Sequence, residues 1–401
     1  MLYFGCSESF LINLYNDKMI IMKQYDLIII TTVPFPYGIS TTNRISNYAS
    51  AIARYKRVAV LTLAGPYTIK YDLASKGVYN NVDYSFFCKT YEDKRPSRMV
   101  RVIKRLVRYL KMICALLFQY QTKSVVVITR SYPLELIVNI ISYFKHFNLF
   151  REISETQEYI SKPLLRSILT KSMKIYDGII IISNGMRDYY SFIKDDSKFF
   201  LLPILVNIDS FVTANAVVDK YFFYCSGANL ERDGFLDGLN AFLKFNKSNP
   251  EYKLYVASKI NFSDPYHREA YDLMTKNSNC VIYLGQLPSS SLPQLLMSAT
   301  ALLITPHAKY ITRGFPTKLG EYLASARPVI CTSIDDLHDN LDINVVYMIE
   351  PNSPDLICSA MQSIVDDPNH ANEVGHLGRE YAKRMYNPQS YTDSLISFLK
   401  L

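Results

Sequence analysis

Residues 300–333 read TALLITPHAKYITRGFPTKLGEYLASARPVICTS and show the organisation that recurs along the whole chain. An apolar run at 300–306 is followed by a polar loop, a helical pattern from about Lys318 to Ser325, and a second apolar run at 328–333. Strands that are apolar on both faces and separated by helices are typical of a parallel sheet covered on both sides. The stretch therefore predicts one strand–helix–strand unit of an α/β fold.

The same alternation extends in both directions and forms two series of strands. Two series separated by a polar stretch near 207–219 predict two Rossmann-like, doubly wound domains in tandem. The first series comprises 27–32, 57–63, 124–130, 150–154, 178–183 and 199–203, and the second comprises 221–227, 252–258, 280–285, 300–306, 328–333 and 345–350. We expect ligands beyond the carboxyl ends of these strands and between the two domains.

The predicted boundaries follow from where the strand series begin and end. Residues 1–22 lack the basic start, apolar stretch and cleavage site of a signal peptide, so we predict a dispensable extension there. The first domain is expected over 23–206 and the second over 207–385.

Composition excludes several classes of protein. Of the 401 residues, 49% are hydrophobic and 20% charged, which is ordinary for a folded chain. No apolar run reaches the roughly 18 residues of a membrane-spanning helix. The seven Cys and six His show no metal-ligand spacing, so no metal site is predicted and a reducing cytoplasm is favoured. The chain also lacks the glycine patterns of dinucleotide-binding and P-loop proteins.

The loop and helix start within 306–333 have the composition of an anion site. Gly314 and Pro316 shape the loop, and Thr317 is placed as an N-cap. Free N–H groups at a helix start attract anions, and Lys318 adds a full positive charge. Glu321 lies one turn further on, where its carboxylate can accept hydrogen bonds from hydroxyl groups such as those of a ribose. The alternative is a capped surface helix with a solvated Lys and Glu.

A second strand–loop–helix junction occurs at SGANLERDGFLDGLNAF, residues 226–242. Gly227 ends a strand, Arg232 lies in a polar loop, and a helix begins near Gly234. An arginine at such a junction is suited to bidentate contact with phosphate. The alternative is an ordinary surface arginine.

Taken together, these stretches resemble the family 4 glycosyltransferases of the GT-B fold, in which two Rossmann-like domains face an interdomain cleft. GFPTKLGEYLASARPVI resembles the donor-binding signature of that family, and SGANLERDGFLDGLNAF and VIYLGQLPSSSLPQLLMSATALLITP resemble its second domain. VPFPYGISTTNRISNYASAIARYKRVAVLTL resembles its opening strand, acceptor loop and first helix. YDGIIIISNGMRDYY and LLPILVNIDSF resemble the end of its first domain. The likeness covers nearly all of the chain after about residue 23.

The resemblance implies a nucleotide-sugar donor on the second domain and a sugar acceptor facing the first. Arg232 and Lys318 match catalytic residues that neutralise the donor diphosphate, and Glu321 matches the second carboxylate of an E-x7-E motif that holds the ribose. No cofactor and no metal are expected, because these cations take that role. A final helix over 386–401 is implied to pack back on the first domain. The implied donor-binding residues are Gly227, Arg232, His307, Gly314, Phe315, Pro316, Thr317, Lys318, Leu319 and Glu321.

Two positions depart from the family pattern. The first carboxylate of E-x7-E falls at Arg313, and a histidine common near FREISETQEY is replaced by Ser154. We predict that Glu155 takes over contact with the reacting sugar as a catalytic residue, and the alternative is a structural carboxylate that binds a backbone turn. The family implies a retaining transfer in which negative charge builds on the departing diphosphate, where cations stabilise it.

Charge is distributed unevenly between the two predicted domains. Residues 1–206 hold 28 Lys and Arg against 15 Asp and Glu, whereas 207–401 hold 16 against 21.

Within 94–120 there are eight Lys and Arg and no acidic residue. On a helix of about 100° per residue, Arg98, Arg101, Arg105 and Arg108 share one arc, and Met99, Ile103, Leu106, Leu110 and Ile113 share the opposite one. We predict an anionic membrane surface as partner, and the alternatives are a nucleic-acid patch and a solvated face over a packed core. No nucleic acid is expected, because no binding motif accompanies the charges.

The loop after the first strand, residues 33–49, is the predicted acceptor side. Gly38 and the hydroxyl groups of a Ser–Thr–Thr run offer hydrogen bonds there, and the alternative is a turn-rich connection. The predicted acceptor-binding residues are Gly38, Ser40, Thr41 and Arg44.

The sequence thus predicts a glycosyltransferase that adds one hexose or N-acetylhexosamine to a glycan or lipid-linked glycan in surface polysaccharide or capsule assembly. The expected location is peripheral, on the cytoplasmic face of the membrane. The alternatives are a nucleotide-sugar epimerase of the same fold and a non-catalytic partner subunit of a glycosyltransferase.

Overall fold

The computed structural model describes residues 22–401 except 39, 65–72, 89–96, 130, 157–159, 212–216, 228, 308–314 and 334–340. The predicted extension, apart from Met22, and the positions of Arg313 and Gly314 lie outside the described residues. The described strands form two sheets of eight and six strands, separated along the chain as the two strand series predict.

The first sheet has the strand order β3-β4-β2-β1-β5-β6-β7-β8. Strand β1 pairs in parallel with both β2 and β5, so the order reverses beside β1. The strands are β1 Lys23–Thr31, β2 Val58–Thr62, β3 Lys76–Tyr79, β4 Val82–Phe86, β5 Tyr120–Ile128, β6 Asn148–Ile153, β7 Gly178–Ile181 and β8 Phe199–Leu201.

The second sheet has the order β11-β10-β9-β12-β13-β14, and every neighbouring pair is parallel. Here the order reverses between β9 and β12, because β10 follows β9 on one side while β12 adds on the other. The strands are β9 Tyr221–Cys225, β10 Lys253–Ala257, β11 Val281–Gly285, β12 Ala301–Ile304, β13 Val329–Thr332 and β14 Tyr347–Ile349.

Helices connect the strands of both sheets. Those described before β9 are α1 Ser40–Ile52, α2 Arg98–Phe118, α3 Tyr132–Lys145, α4 Pro163–Lys171 and α5 Asn184–Tyr189. Those after it are α6 Phe235–Asn246, α7 Pro265–Lys276, α8 Leu292–Ser298, α9 Lys318–Ala324, α10 Pro354–Asp366, α11 Pro368–Met385 and α12 Thr392–Phe398.

All twelve apolar runs predicted as strands lie on strands. In β1, the residues from Leu27 to Ile30 have no exposed surface, as expected of a central parallel strand covered on both faces. Strands β3 and β4 were not predicted. They form an antiparallel hairpin whose turn residues Asn80 and Asn81 both have positive φ, and β3 is exposed at alternate residues. The Asn-Asn pair is the local signal for this turn.

Contacts divide the chain into two compact units, one running to Arg151 and including Ile396–Leu401, the other comprising Glu152–Leu395. This division falls earlier in the chain than the boundary predicted between 206 and 207. The last strand of the first sheet ends at Leu201 and the first strand of the second begins at Tyr221. The change from one sheet to the other therefore comes later in the chain than the change from one compact unit to the other. The predicted domain boundaries stay a prediction.

The end of the chain packs within the first unit. Ser124 donates its hydroxyl to the carbonyl of Leu399 at 2.6 Å, and the rings of Phe150 and Phe398 lie 5.4 Å apart. The helix here, α12, is shorter than the predicted 386–401. A 3-10 turn occupies Pro388–Tyr391 before it, and the positive φ of Lys400 ends the helical conformation.

Candidate active site

The candidate site lies where β9 and β12 end, at the reversal of strand order in the second sheet. Parallel α/β sheets bind ligands at this position because the loops after the two strands diverge and leave a crevice. The loop after β9 spans residues 226–234, and the loop after β12 begins at Thr305. The N–H of His307 donates to the carbonyl of Arg232 at 3.0 Å, which joins the two loops.

Gly234 allows the two loops to approach closely. Its φ is +66°, in the left-handed region that favours glycine, and an added Cβ would overlap the carbonyl oxygen of Thr305. The buried hydroxyl of Tyr224 bonds to the Asp233 carbonyl and lies 3.0 Å from the Thr305 hydroxyl. The end of this loop, at Asp233 and Gly234, is therefore held from both sides.

Asp233 is the polar centre of this loop. Its Oδ2 accepts hydrogen bonds from the Ser226 hydroxyl at 2.7 Å and from the Gly227 N–H at 2.8 Å. Burial alone would raise the pKa of Asp233, but Lys318, these two donors and Arg232 together hold the pKa below its ordinary value. The carboxylate is thus charged, although only a fifth of its side chain is exposed.

The two predicted catalytic cations both contact this carboxylate. Lys318 Nζ lies 3.9 Å from Oδ2 of Asp233, and Arg232 Nε lies 3.4 Å from Oδ1. Lys318 begins α9 and is about 29% exposed, whereas Arg232 is more open to solvent at 48%. The structure brings the two cations together on an internal anion that sequence reasoning missed, and their contact with a diphosphate stays a prediction. The signal for this anion was an acidic residue directly after Arg232.

Helix α9 is fixed to β9 by a buried tyrosine. The hydroxyl oxygen of Tyr322 accepts the N–H of Cys225 at 3.0 Å, and burial raises the pKa of this tyrosine far above its ordinary value. An added Cβ at Gly320 would overlap the side chain of Val206, so the helix packs tightly there. These contacts determine where Lys318 and Glu321 project.

Glu321 is half-buried on α9, one turn after Lys318. Burial raises the pKa of its carboxyl group, and Lys318 partly opposes this. A carboxylate in a sheltered position beside a cation can accept hydrogen bonds from a ribose, as predicted for this residue. Glu321 thus lies within Coulombic range of Lys318, and its contact with a ribose stays a prediction.

The cap predicted at Thr317 is wrong. Thr317 has helical backbone angles and makes no side-chain cap hydrogen bond, whereas an N-cap residue needs a non-helical conformation. The turn already starts at Pro316, whose carbonyl accepts the Leu319 N–H at 3.0 Å. Charge at this helix start therefore comes mainly from Lys318.

The other predicted donor-binding residues differ from one another in burial and in their neighbours. Phe315 is half-buried with its ring 6.2 Å from that of Tyr386, and Thr317 is exposed. The Leu319 side chain is fully buried, and His307 lies within Coulombic range of Asp237. Their contact with a donor stays a prediction.

The predicted acceptor residues follow β1, at the strand-order reversal of the first sheet. Gly38 and Ser40 are exposed and Thr41 is half-buried, whereas Arg44 is buried in α1. Glu155 is half-buried just after β6. The roles of these five residues stay predictions.

The basic helix is α2, and the structure corrects one of its alternative interpretations. Met99, Ile103, Leu106 and Leu110 are all exposed and Ile113 is half-buried, so most of this apolar arc does not pack on a core. Arg101 and Arg105 are exposed and Arg108 is half-buried, whereas the Arg98 side chain lies outside the described residues. No helix of the described residues is long and apolar enough to cross a membrane.

In the part of the chain that the structure describes, no three His, Cys, Asp or Glu side chains form a group that could hold a metal ion. The expectation that sugar transfer needs no metal stays a prediction.

Solved structures share this architecture over nearly the whole chain. The Anabaena protein HepE in complex with UDP has 12% sequence identity and a TM-score of 0.69, covering 94% of this chain and 99% of its own. Sucrose-phosphate synthase from Thermosynechococcus elongatus has 14% identity and a TM-score of 0.70, covering 94% and 98%. The UDP-forming α,α-trehalose-phosphate synthase from Burkholderia xenovorans has 10% identity and a TM-score of 0.66, covering 94% and 100%.

The chain therefore has the GT-B fold of glycosyltransferases. Residues 219–367, which contain the candidate site, match the family described as Glycosyl transferases group 1. No curated protein matches the chain by sequence.

Proposed function

We propose that this protein is a glycosyltransferase that moves a hexose or N-acetylhexosamine from a nucleoside-diphosphate sugar to an acceptor. The observation that carries the proposal is that Lys318 and Arg232 meet at Asp233 beyond β9 and β12, inside the matched family domain, with Glu321 within Coulombic range of Lys318. Further support comes from the complex of HepE with UDP-glucose, which has the same fold.

The proposed mechanism uses the cations as stabilisers of the leaving group. As the bond between the sugar and the diphosphate breaks, negative charge grows on the diphosphate oxygens, and Lys318 and Arg232 stabilise that charge. Glu321 would hold the ribose hydroxyls. The backbone around Gly227 would approach the phosphates closely, because no side chain intervenes there. We propose Glu155 as the residue that contacts the reacting sugar, in a transfer with retention of configuration.

The proposed acceptor is a glycan or a lipid-linked glycan in surface polysaccharide or capsule assembly. The support for a lipid-linked acceptor is the exposed apolar arc of α2 beside a run of cations. A protein bearing such a helix is expected to act peripherally on the inner face of the cytoplasmic membrane.

The test is an assay with a panel of nucleotide sugars, with and without glycan acceptors. Nucleoside diphosphate that appears only with acceptor supports the transferase, and an isomerised donor would instead identify an epimerase. Neither product would identify a non-catalytic partner subunit. The anomeric configuration of the product, read by NMR, tests retention.

A further inference from the structure

Helix α2 exposes its apolar face to solvent, and Arg101 and Arg105 of its basic face are exposed as well. The apolar side chains Met99, Ile103, Leu106 and Leu110 are between 53% and 73% exposed. On the opposite side, the line of Arg101, Arg105 and Arg108 continues at helical spacing into Met112 and Leu116, which are buried. Apolar surface of this extent on a monomeric protein marks an interaction site.

A second helix carries an exposed apolar stripe next to α2. In α3, the side chains of Leu136, Ile140, Tyr143 and Phe144 are between 49% and 80% exposed. Spacings of three and four residues place them on one face of that helix. Glu135, the acidic residue of α3, is buried and forms an ion pair with Arg151 at 3.1 Å, so it adds no charge to the stripe.

The two helices are joined at both ends of α3. The hydroxyl groups of Tyr109 and Ser131 are hydrogen-bonded where α3 begins, and Lys145 donates to the carbonyl of Leu117 at 3.1 Å where it ends. The two helices therefore lie side by side and run in parallel. We call the exposed side chains of Met99, Ile103, Leu106 and Leu110 with those of Leu136, Ile140, Tyr143 and Phe144 the two-helix surface.

Charge identifies what covers this surface. Helix α2 carries six Lys or Arg and no acidic residue. A second copy of the chain would bring two such helices together, and their like charges would repel. An anionic bilayer instead accepts apolar side chains at its interface and attracts the cations, at about 1 kcal/mol per basic residue. We infer that the two-helix surface docks the protein on an anionic lipid membrane.

The position of α2 connects this docking surface with the proposed acceptor loop. The Tyr109–Ser131 bond places the middle of α2 beside the loop that follows β5, and residues 98–108 form about 16 Å of helix before that point. The loop with Gly38 and Ser40 leaves β1 at the same edge of the first sheet, where Thr32 donates its N–H to the Ile128 carbonyl at 3.4 Å. Docking therefore brings this loop to lipid-linked acceptors, a step that rests on the proposed function.

The test is flotation of the full chain with phosphatidylglycerol-containing vesicles and with pure phosphatidylcholine vesicles. We expect at least tenfold more binding to the anionic vesicles, with release as salt rises from about 0.1 M to about 1 M. Leu106→Gln with Leu110→Gln should lower binding roughly tenfold, because apolar area no longer leaves water. Leu136→Gln with Phe144→Gln should lower it similarly, because α3 belongs to the same surface.

The matched control is Leu356→Gln, an exposed leucine on α10, which should bind vesicles like the unchanged protein. Equal binding to both kinds of vesicle, or no loss in the α2 and α3 variants, would overturn the inference. A dimer in solution that Leu106→Gln dissociates would also overturn it and would assign the surface to a second copy. Sugar transfer to a water-soluble acceptor is measured in parallel, so a failure of docking is distinguishable from a failure of the proposed activity.

Discussion

Lys318 Nζ lies 3.9 Å from Oδ2 of Asp233, on the carboxylate whose other oxygen is 3.4 Å from Arg232 Nε. Asp233 also accepts the Gly227 N–H and the Ser226 hydroxyl. Cations, a backbone N–H and a hydroxyl are also the donors that bind a phosphate group. The Asp233 carboxylate is therefore bound by the same kinds of donor that the proposed diphosphate would need.

Replacing Lys318 should show whether this cation stabilises the leaving group. We expect Lys318→Ala, and likewise Arg232→Ala, to lower turnover by more than about 10²-fold, as loss of electrostatic stabilisation at a developing charge does. Steady-state kinetics of sugar transfer measure this. Lys276→Ala, at an exposed lysine in the last turn of α7, is the control and should keep full activity. Normal kinetics in both site variants would contradict their assignment.

Removing the charge of Asp233 should strengthen diphosphate binding. In Asp233→Asn, Lys318 and Arg232 no longer have a competing anion, so we expect a nucleoside diphosphate to bind about tenfold more tightly, or about 1.4 kcal/mol. Titration calorimetry measures the affinity, with Asp272→Asn on the exposed side of α7 as control. Weaker binding in Asp233→Asn would mean that this carboxylate positions Lys318 for the ligand instead of competing with it.

The same residue predicts how stability depends on pH. The pKa of Asp233 is lower in the folded protein than in the unfolded chain, where it is about 3.9. Its ionised form therefore stabilises the fold fully above about pH 3.9, and this contribution disappears as pH falls through the folded pKa. Urea unfolding over this acidic range should show a steeper loss of stability in the unchanged protein than in Asp233→Asn. Parallel curves for the two proteins would contradict this.

Substitutions at two glycines with positive φ allow the cost of backbone strain to be measured apart from the cost of steric overlap. Gly234 and Gly285 have φ values of +66° and +69°, so a Cβ costs about 1–2 kcal/mol at either position. At Gly234 the Cβ would also overlap the Thr305 carbonyl, whereas at Gly285 nothing lies within 4 Å. We expect Gly234→Ala to lower the free energy of unfolding by at least about 2 kcal/mol more than Gly285→Ala does. Equal losses of unfolding free energy in the two variants, measured by urea denaturation, would show that the loops after β9 and β12 move apart at little cost.

Several elements were predictable because local chemistry determines them. Runs such as Leu27–Ile30 are apolar at every position, and only a strand covered on both faces suits them. The strand–loop–helix pattern placed Arg232 and Lys318 each in a junction after a strand, and the structure showed that these two strands are neighbours. The hairpin of β3 and β4 was missed because its strands are short and partly polar, although Asn80 and Asn81 carried the turn signal.

The sequence by itself determined the two series of buried parallel strands, the junctions after β9 and β12, and the amphipathic character of α2, because periodicity and residue type are local properties. Only the tertiary structure decided that Asp233 lies between the cations Arg232 and Lys318, since that contact joins a loop to a helix far along the chain. It also decided that Leu106 and Leu110 face solvent. A hydrophobic pattern distinguishes the two faces of a helix, but packing against the neighbouring elements decides which face turns inward.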